Sequence, residues 1–146
     1  WKKVMQEIHY DLPNTSFFSC PDLVQVLTDL KSKGIKLAVV TTDNMQITRK
    51  CLEKLGILDL FDRIYTDDGE VPTKPDPFCV HHFCEFARVE KDRVVMVGDT
   101  MTDMRFAKTA GIPAIGIAKS ELNKQVLAPH AHAVIPYPSH IFELLN

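Results

Sequence analysis

One ten-residue stretch, Val94-Val95-Met96-Val97-Gly98-Asp99-Thr100-Met101-Thr102-Asp103, limits what this chain can fold into more than any other. Four consecutive apolar residues read as a short, fully buried strand, and the glycine lets the backbone turn sharply at its end. Two carboxylates, Asp99 and Asp103, follow four residues apart, where such a strand delivers them to the carboxyl edge of a sheet. Open α/β sheets bind ligands at that edge. Paired carboxylates with adjacent hydroxyls suit a hard cation such as Mg²⁺, which prefers oxygen ligands and keeps several waters.

Elsewhere helical and strand patterns alternate, the mark of a parallel α/β sheet. Pro21 to Lys33 has apolar residues at Leu23, Val26, Leu27 and Leu30, a helical spacing that Gly34 ends. Ile35 to Val40 predicts a strand, and Met45 to Leu55 a helix ended by Gly56. Ile64-Tyr65 predicts a short strand running into the acidic loop Thr66-Asp67-Asp68-Gly69-Glu70. Lys74-Pro75-Asp76-Pro77 opens the next helix, through about Arg88, and Met104 to Ala110 forms another, ended by Gly111. Pro113 to Ile117 and Ala133 to Ile135 predict two more strands, and Ile141 to Leu145 a last helical turn. The fold class is therefore α/β, a Rossmann-like parallel sheet flanked by helices. Its 146 residues suit one domain with a real core.

Composition excludes some functions. A net charge of −2 argues against a broad basic surface for nucleic acid or membrane. No apolar run nears the roughly 20 residues that span a bilayer. Trp1 to His9 lacks the apolar core of a signal peptide. Cys20, Cys51, Cys79 and Cys84 show no framework spacing and read as reduced thiols of a cytoplasmic protein. Cys79-Val80-His81-His82-Phe83-Cys84 invites a zinc reading, but on a helix the two cysteines point about 140° apart. Core cysteines explain them better.

Three positions line up at the ends of α/β units. Thr41-Thr42-Asp43-Asn44 follows a strand and opens a helix, where hydroxyls and backbone N–H groups make a phosphate cradle. A plain helix cap explains the same residues. Lys74, just before a proline suited to the first helical position, offers a point charge for phosphate, or is merely a surface lysine. Asp99 and Asp103 are metal candidates, or simply turn and first-turn carboxylates. Asp67, Asp68 and Glu70 read as a solvated loop, and His130, His132 and His140 as surface residues without ligand spacing.

Taken together, this order resembles the haloacid dehalogenase superfamily of phosphohydrolases, nearest its phosphoglycolate phosphatase-like branch. Thr41 matches the family's second-motif Thr or Ser. Lys74, within Thr73-Lys74-Pro75-Asp76-Pro77, matches the third-motif lysine. Gly98-Asp99-Thr100-Met101-Thr102-Asp103 matches the acidic fourth motif. Phe61-Asp62-Arg63-Ile64 and Ala107-Lys108-Thr109-Ala110-Gly111-Ile112-Pro113 agree on the flanks. The resemblance implies a haloacid dehalogenase-like core over residues 17–146, and hydrolysis of a small phosphorylated metabolite through an aspartyl-phosphate with Mg²⁺. It implies that Thr41 and Thr42 with nearby amides hold phosphate and that Lys74 neutralises charge. Asp99 then binds Mg²⁺, and Asp103 binds it through water or orients Lys74.

The family's nucleophile lies in a first motif, Asp-x-Asp-x-Thr, ending the central strand. The weak match here is Asp11-Leu12-Pro13-Asn14-Thr15, in which Pro13 replaces the acid/base aspartate. Residues 1–16 read better as the tail of a helical cap or a linker, placing the nucleophile upstream. The sheet then has an unfilled slot between the strands ending at Thr41 and Asp99, and its exposed N–H and C=O groups need partners. Val4 to Tyr10, an N-terminal segment or a second copy in a homodimer would fill it. Alone, the chain is expected to turn over little and to bind Mg²⁺ weakly. The alternative is a non-catalytic relic or interaction domain.

Overall fold

The computed structural model describes residues 22–145. The expectations for Val4 to Tyr10, Asp11 and the 1–16 cap tail lie outside them. Eleven elements follow in order: α1 (Leu23–Ser32), β1 (Ala38–Val40), α2 (Met45–Lys54), β2 (Arg63–Tyr65), α3 (Phe78–Ala87), β3 (Met96–Gly98), α4 (Met101–Ala110), β4 (Ala114–Ile117), α5 (Glu121–Leu127), β5 (Ala133–Ile135) and α6 (Ile141–Leu144). Short 3₁₀ turns sit between several of them.

Strand alternation builds a layered core. Val39 of β1 and Ile115 and Ile117 of β4 point into one apolar cluster, with Leu23, Val26, Leu27 and Leu30 of α1 and Cys51 and Leu52 of α2. Met96 of β3 and Ala114 of β4 point the other way, toward Cys79 and Val80 of α3 and Met104, Phe106, Ala107 and Ala110 of α4. Successive side chains of a strand face opposite sides, so both faces are covered by helices, as a parallel sheet demands. Burying each such Leu, Val or Phe contributes about 1.5–3 kcal/mol.

All pairings are parallel. β1 runs beside β2 with Val39 opposite Ile64. β3 runs beside β4 with Val97 opposite Ile115, and β4 beside β5 with Gly116 opposite Val134. The strands form two sheets, β1-β2 and β3-β4-β5. Between them lies a cavity of about 510 Å³, walled by Ala38 and Val40 on one side and Val95 to Val97 on the other. Leu27 of α1 and Val80 of α3 close its two faces. The slot expected between the strands ending at Thr41 and Asp99 is thus present among the described residues.

Some expectations need correction. The strand expected over Ile35 to Val40 shrinks to Ala38–Val40, because β2 runs alongside only there. The strand at Val94 to Val97 begins at Met96, and Val95 is 37% exposed, so it is not fully buried. Lys74-Pro75 does not open α3. It forms a separate turn with a cis peptide bond, and the helix starts at Phe78 after Pro77.

Candidate active site

The site grows from the carboxyl end of β3. Thr100 adopts extended backbone there and caps α4, its hydroxyl oxygen accepting the Asp103 N–H. The cap turns Asp103 inward, where it is fully buried. Its Oδ1 accepts from Lys74 Nζ at 2.8 Å, and its Oδ2 accepts from the Thr100 hydroxyl at 2.8 Å. Gly98 is required by this arrangement, because a Cβ there would collide with the Asp103 carboxylate.

Lys74 is 4% exposed, so it is no surface lysine. A buried ammonium is tolerated only with a partner, and Asp103 supplies it at short range. The five residues from Asp99 to Asp103 and the turn at Lys74 are therefore joined by a charge-assisted hydrogen bond.

Thr41 directly follows β1, buried at 4% exposure, with its N–H donating to Tyr65 O at 3.0 Å. Its hydroxyl donates to Asp43 Oδ2 at 3.2 Å and accepts the Asp43 N–H at 3.1 Å. The start of α2 is not the open cradle expected from the sequence. The Met45 N–H goes to Asp68 Oδ1 at 2.8 Å and the Ile47 N–H to Asn44 Oδ1 at 2.9 Å. That hydrogen bond from Met45 holds the Asp68 carboxyl below its ordinary value. Thr42 is exposed beside them.

The structure therefore joins Lys74 to Asp103 directly and sets Thr41 and Asp99 at strand ends, while Asp11 lies outside the described residues. Its donor set fits Mg²⁺ in part. Asp99, at a strand end, offers the oxygen donors a hard cation takes. Asp103 has both oxygens engaged, by Lys74 and Thr100, an arrangement that orients Lys74. Among the described residues no three His, Cys, Asp or Glu side chains gather to hold a metal ion. Cys79 is buried, and burial pushes its thiol up to about 11, as suits a core cysteine.

Reading from the sequence alone missed two roles. Asp68 caps α2 from a loop 23 residues away in sequence, a pairing no local pattern announces. Asp43 sits on the Thr41 hydroxyl, although the Thr-x-Asp spacing is the local signal of such a turn.

Comparison with known proteins agrees with the fold. The family profile of haloacid dehalogenase-like hydrolases matches residues 1–117. The chain is 36% identical over 97 residues to a phosphoglycolate phosphatase of Neisseria meningitidis, covering 66% of this chain and 41% of that protein. It is 36% identical over 91 residues to a phosphoglycolate phosphatase of Aquifex aeolicus, covering 62% and 43%. The crystal structure of a HAD phosphatase from Thermococcus onnurineus superposes with a TM-score of 0.72 at 30% identity, covering 86% of this chain and 57% of that one. The chain thus spans about two fifths of the length of these curated relatives.

Proposed function

The chain belongs to the haloacid dehalogenase-like hydrolases, and from that premise we propose that it forms the core of a Mg²⁺-dependent phosphomonoester hydrolase. The observation that carries this reading is the buried Lys74–Asp103 pair at the carboxyl end of β3. Phosphoryl transfer needs positioning and charge neutralisation above all. An ammonium fixed by Asp103 and Thr100 keeps protons for phosphate oxygens and pays no reorganisation when charge develops.

In this reading Thr41 and Thr42 bind phosphate, Lys74 neutralises it, and Asp103 holds Lys74 in place. Asp99 would hold Mg²⁺, which when bound supplies charge neutralisation on the phosphate oxygens. The nucleophile comes from an apolar strand seated between β1 and β3, carrying a carboxylate at its carboxyl end. An N-terminal segment or a second copy supplies that strand. The substrate is a small phosphorylated metabolite, and the setting is the cytoplasm.

Calorimetric titration of the purified chain with inorganic phosphate in the presence of Mg²⁺ tests the site. The expected result is measurable binding that Thr41→Val and Lys74→Ala each weaken by about tenfold or more. Binding unaffected by Thr41→Val would contradict the assignment. A folded chain that binds no phosphate would support the relic reading instead.

A further inference from the structure

Tyr65, the last residue of β2, is 5% exposed and is bonded at both its backbone and its hydroxyl. Its carbonyl accepts the Thr41 N–H at 3.0 Å, and its hydroxyl lies 2.9 Å from His82 Nδ1 on α3. The two rings meet edge to face, with centroids 5.7 Å apart. α3 begins just beyond the turn that carries Lys74, and the Phe78 N–H that opens it donates to Asp76 Oδ1 of that turn at 2.9 Å. Among the described residues no strand pairing joins the β1-β2 sheet to the β3-β4-β5 sheet. Tyr65 thus ties Thr41, at the end of the first sheet, to the helix that starts behind Lys74.

The direction of the hydroxyl bond follows from its surroundings. Tyr65 shares a buried cluster with Val80, Met96 and Phe106, and burial pushes its hydroxyl up to about 12, so the proton stays on. A buried O–H without an acceptor is costly, and His82 Nδ1 is the acceptor it meets. The ring is then neutral, with its own proton on Nε2. The other titratable groups facing Tyr65 are Cys79 and Cys84 of α3, thiols that burial keeps protonated, and Arg63 of β2, which only donates. Lys74 lies beyond Cys79 and is held by Asp103, and Glu85, three residues past His82 on α3, is exposed. Protonating the half-buried His82 removes the acceptor and sets a second donor against the Tyr65 O–H.

We infer that Tyr65 is a positioning residue of the phosphate site, holding Thr41 through its carbonyl and the helix behind Lys74 through its hydroxyl, and that protonation of His82 opens the second hold. The inference rests on the phosphate reading of Thr41 and Lys74. With the hold closed, both groups meet phosphate already placed, and binding loses less to their ordering. The bond favours the neutral ring, so the hold is present at neutral and higher pH and is lost as acid charges the imidazole.

The test is NMR titration of the purified chain with inorganic phosphate at about pH 8 and about pH 5, either side of the ordinary imidazole value. Wild type is compared with Tyr65→Phe, which lacks the donor, and with His82→Asn, which sets an amide oxygen near the place of Nδ1 and does not titrate. Comparing variants at one pH removes the titration of phosphate itself. At the higher pH Tyr65→Phe should bind about threefold more weakly than wild type, and His82→Asn about as tightly as wild type. At the lower pH wild type should bind about threefold more weakly than His82→Asn, close to Tyr65→Phe. A ratio of wild type to His82→Asn that is the same at both pH values would overturn the inference while leaving the phosphate site standing. So would a Tyr65→Phe that melts lower but binds phosphate as tightly as wild type. The ring nitrogens of wild type give a reading independent of any variant: at the higher pH the His82 proton should sit on Nε2, and a proton on Nδ1 would overturn the inference. Phosphate failing to bind wild type at either pH would overturn both this inference and the phosphate reading.

Discussion

Lys74, Asp103, Thr100 and Gly98 form one unit in which each residue explains the next. The Thr100 cap aims Asp103 inward, Asp103 compensates Lys74, and Gly98 leaves the space. Removing one charge strands the other in a buried site, so Lys74→Met should cost about 3–5 kcal/mol in urea unfolding. The paired variant Lys74→Met/Asp103→Leu should recover much of that loss while abolishing phosphate binding, which separates stability from function. Gly98→Ala should cost about 1–3 kcal/mol through the forced contact with Asp103. The acidic motif was legible in the sequence because strand, glycine and carboxylates are contiguous. The partner of Asp103 was not, because 29 residues separate it from Lys74 and only the fold brings them together.

Helices were easier to read than strands for a physical reason. The apolar stripe of α1 at Leu23, Val26, Leu27 and Leu30 is all buried, so periodicity found it. α5 went unread because Leu122 and Val126 are exposed and only Leu127 reaches the core. Strand ends depend on what runs beside them, as the shortening to Ala38–Val40 shows. One cross-element tie fixes α1 against β1 and β2: Asp62 accepts from Lys31 Nζ at 2.8 Å and from the Leu37 N–H at 2.8 Å. Burial pushes the Asp62 carboxyl up, but the Lys31 and Leu37 hydrogen bonds outweigh it and leave it below its ordinary 3.8. A lowered folded value means the tie stabilises the fold above the unfolded value and fades as pH falls through the folded one. Asp62→Asn should therefore lose about 1 kcal/mol at neutral pH, with a smaller loss at pH 3, measured by urea unfolding at both.

At the scale of the whole molecule, two parallel sheets face each other across an apolar cavity walled on both sides by helices. Among the described residues no strand pairs with the edges of β1 and β3 that flank it, and a strand between them would pair with both at about 4.8 Å spacing. Such a strand must be apolar on both faces, since Leu27 closes one and Val80 the other. The polar residues Gln6, Glu7 and His9 fit that requirement poorly. The slot was legible only through the family resemblance, since no local pattern in a sequence says which strands run side by side. The most direct measurement is turnover of an aryl phosphate with Mg²⁺ by the purified chain, alone and with a synthetic peptide of five apolar residues followed by Asp-x-Asp-x-Thr. The account predicts little or no turnover alone, turnover when the peptide is added, and its loss when the first aspartate of the peptide is replaced by asparagine. Peptide that binds in the slot without restoring turnover, or equal turnover with and without it, would contradict the account.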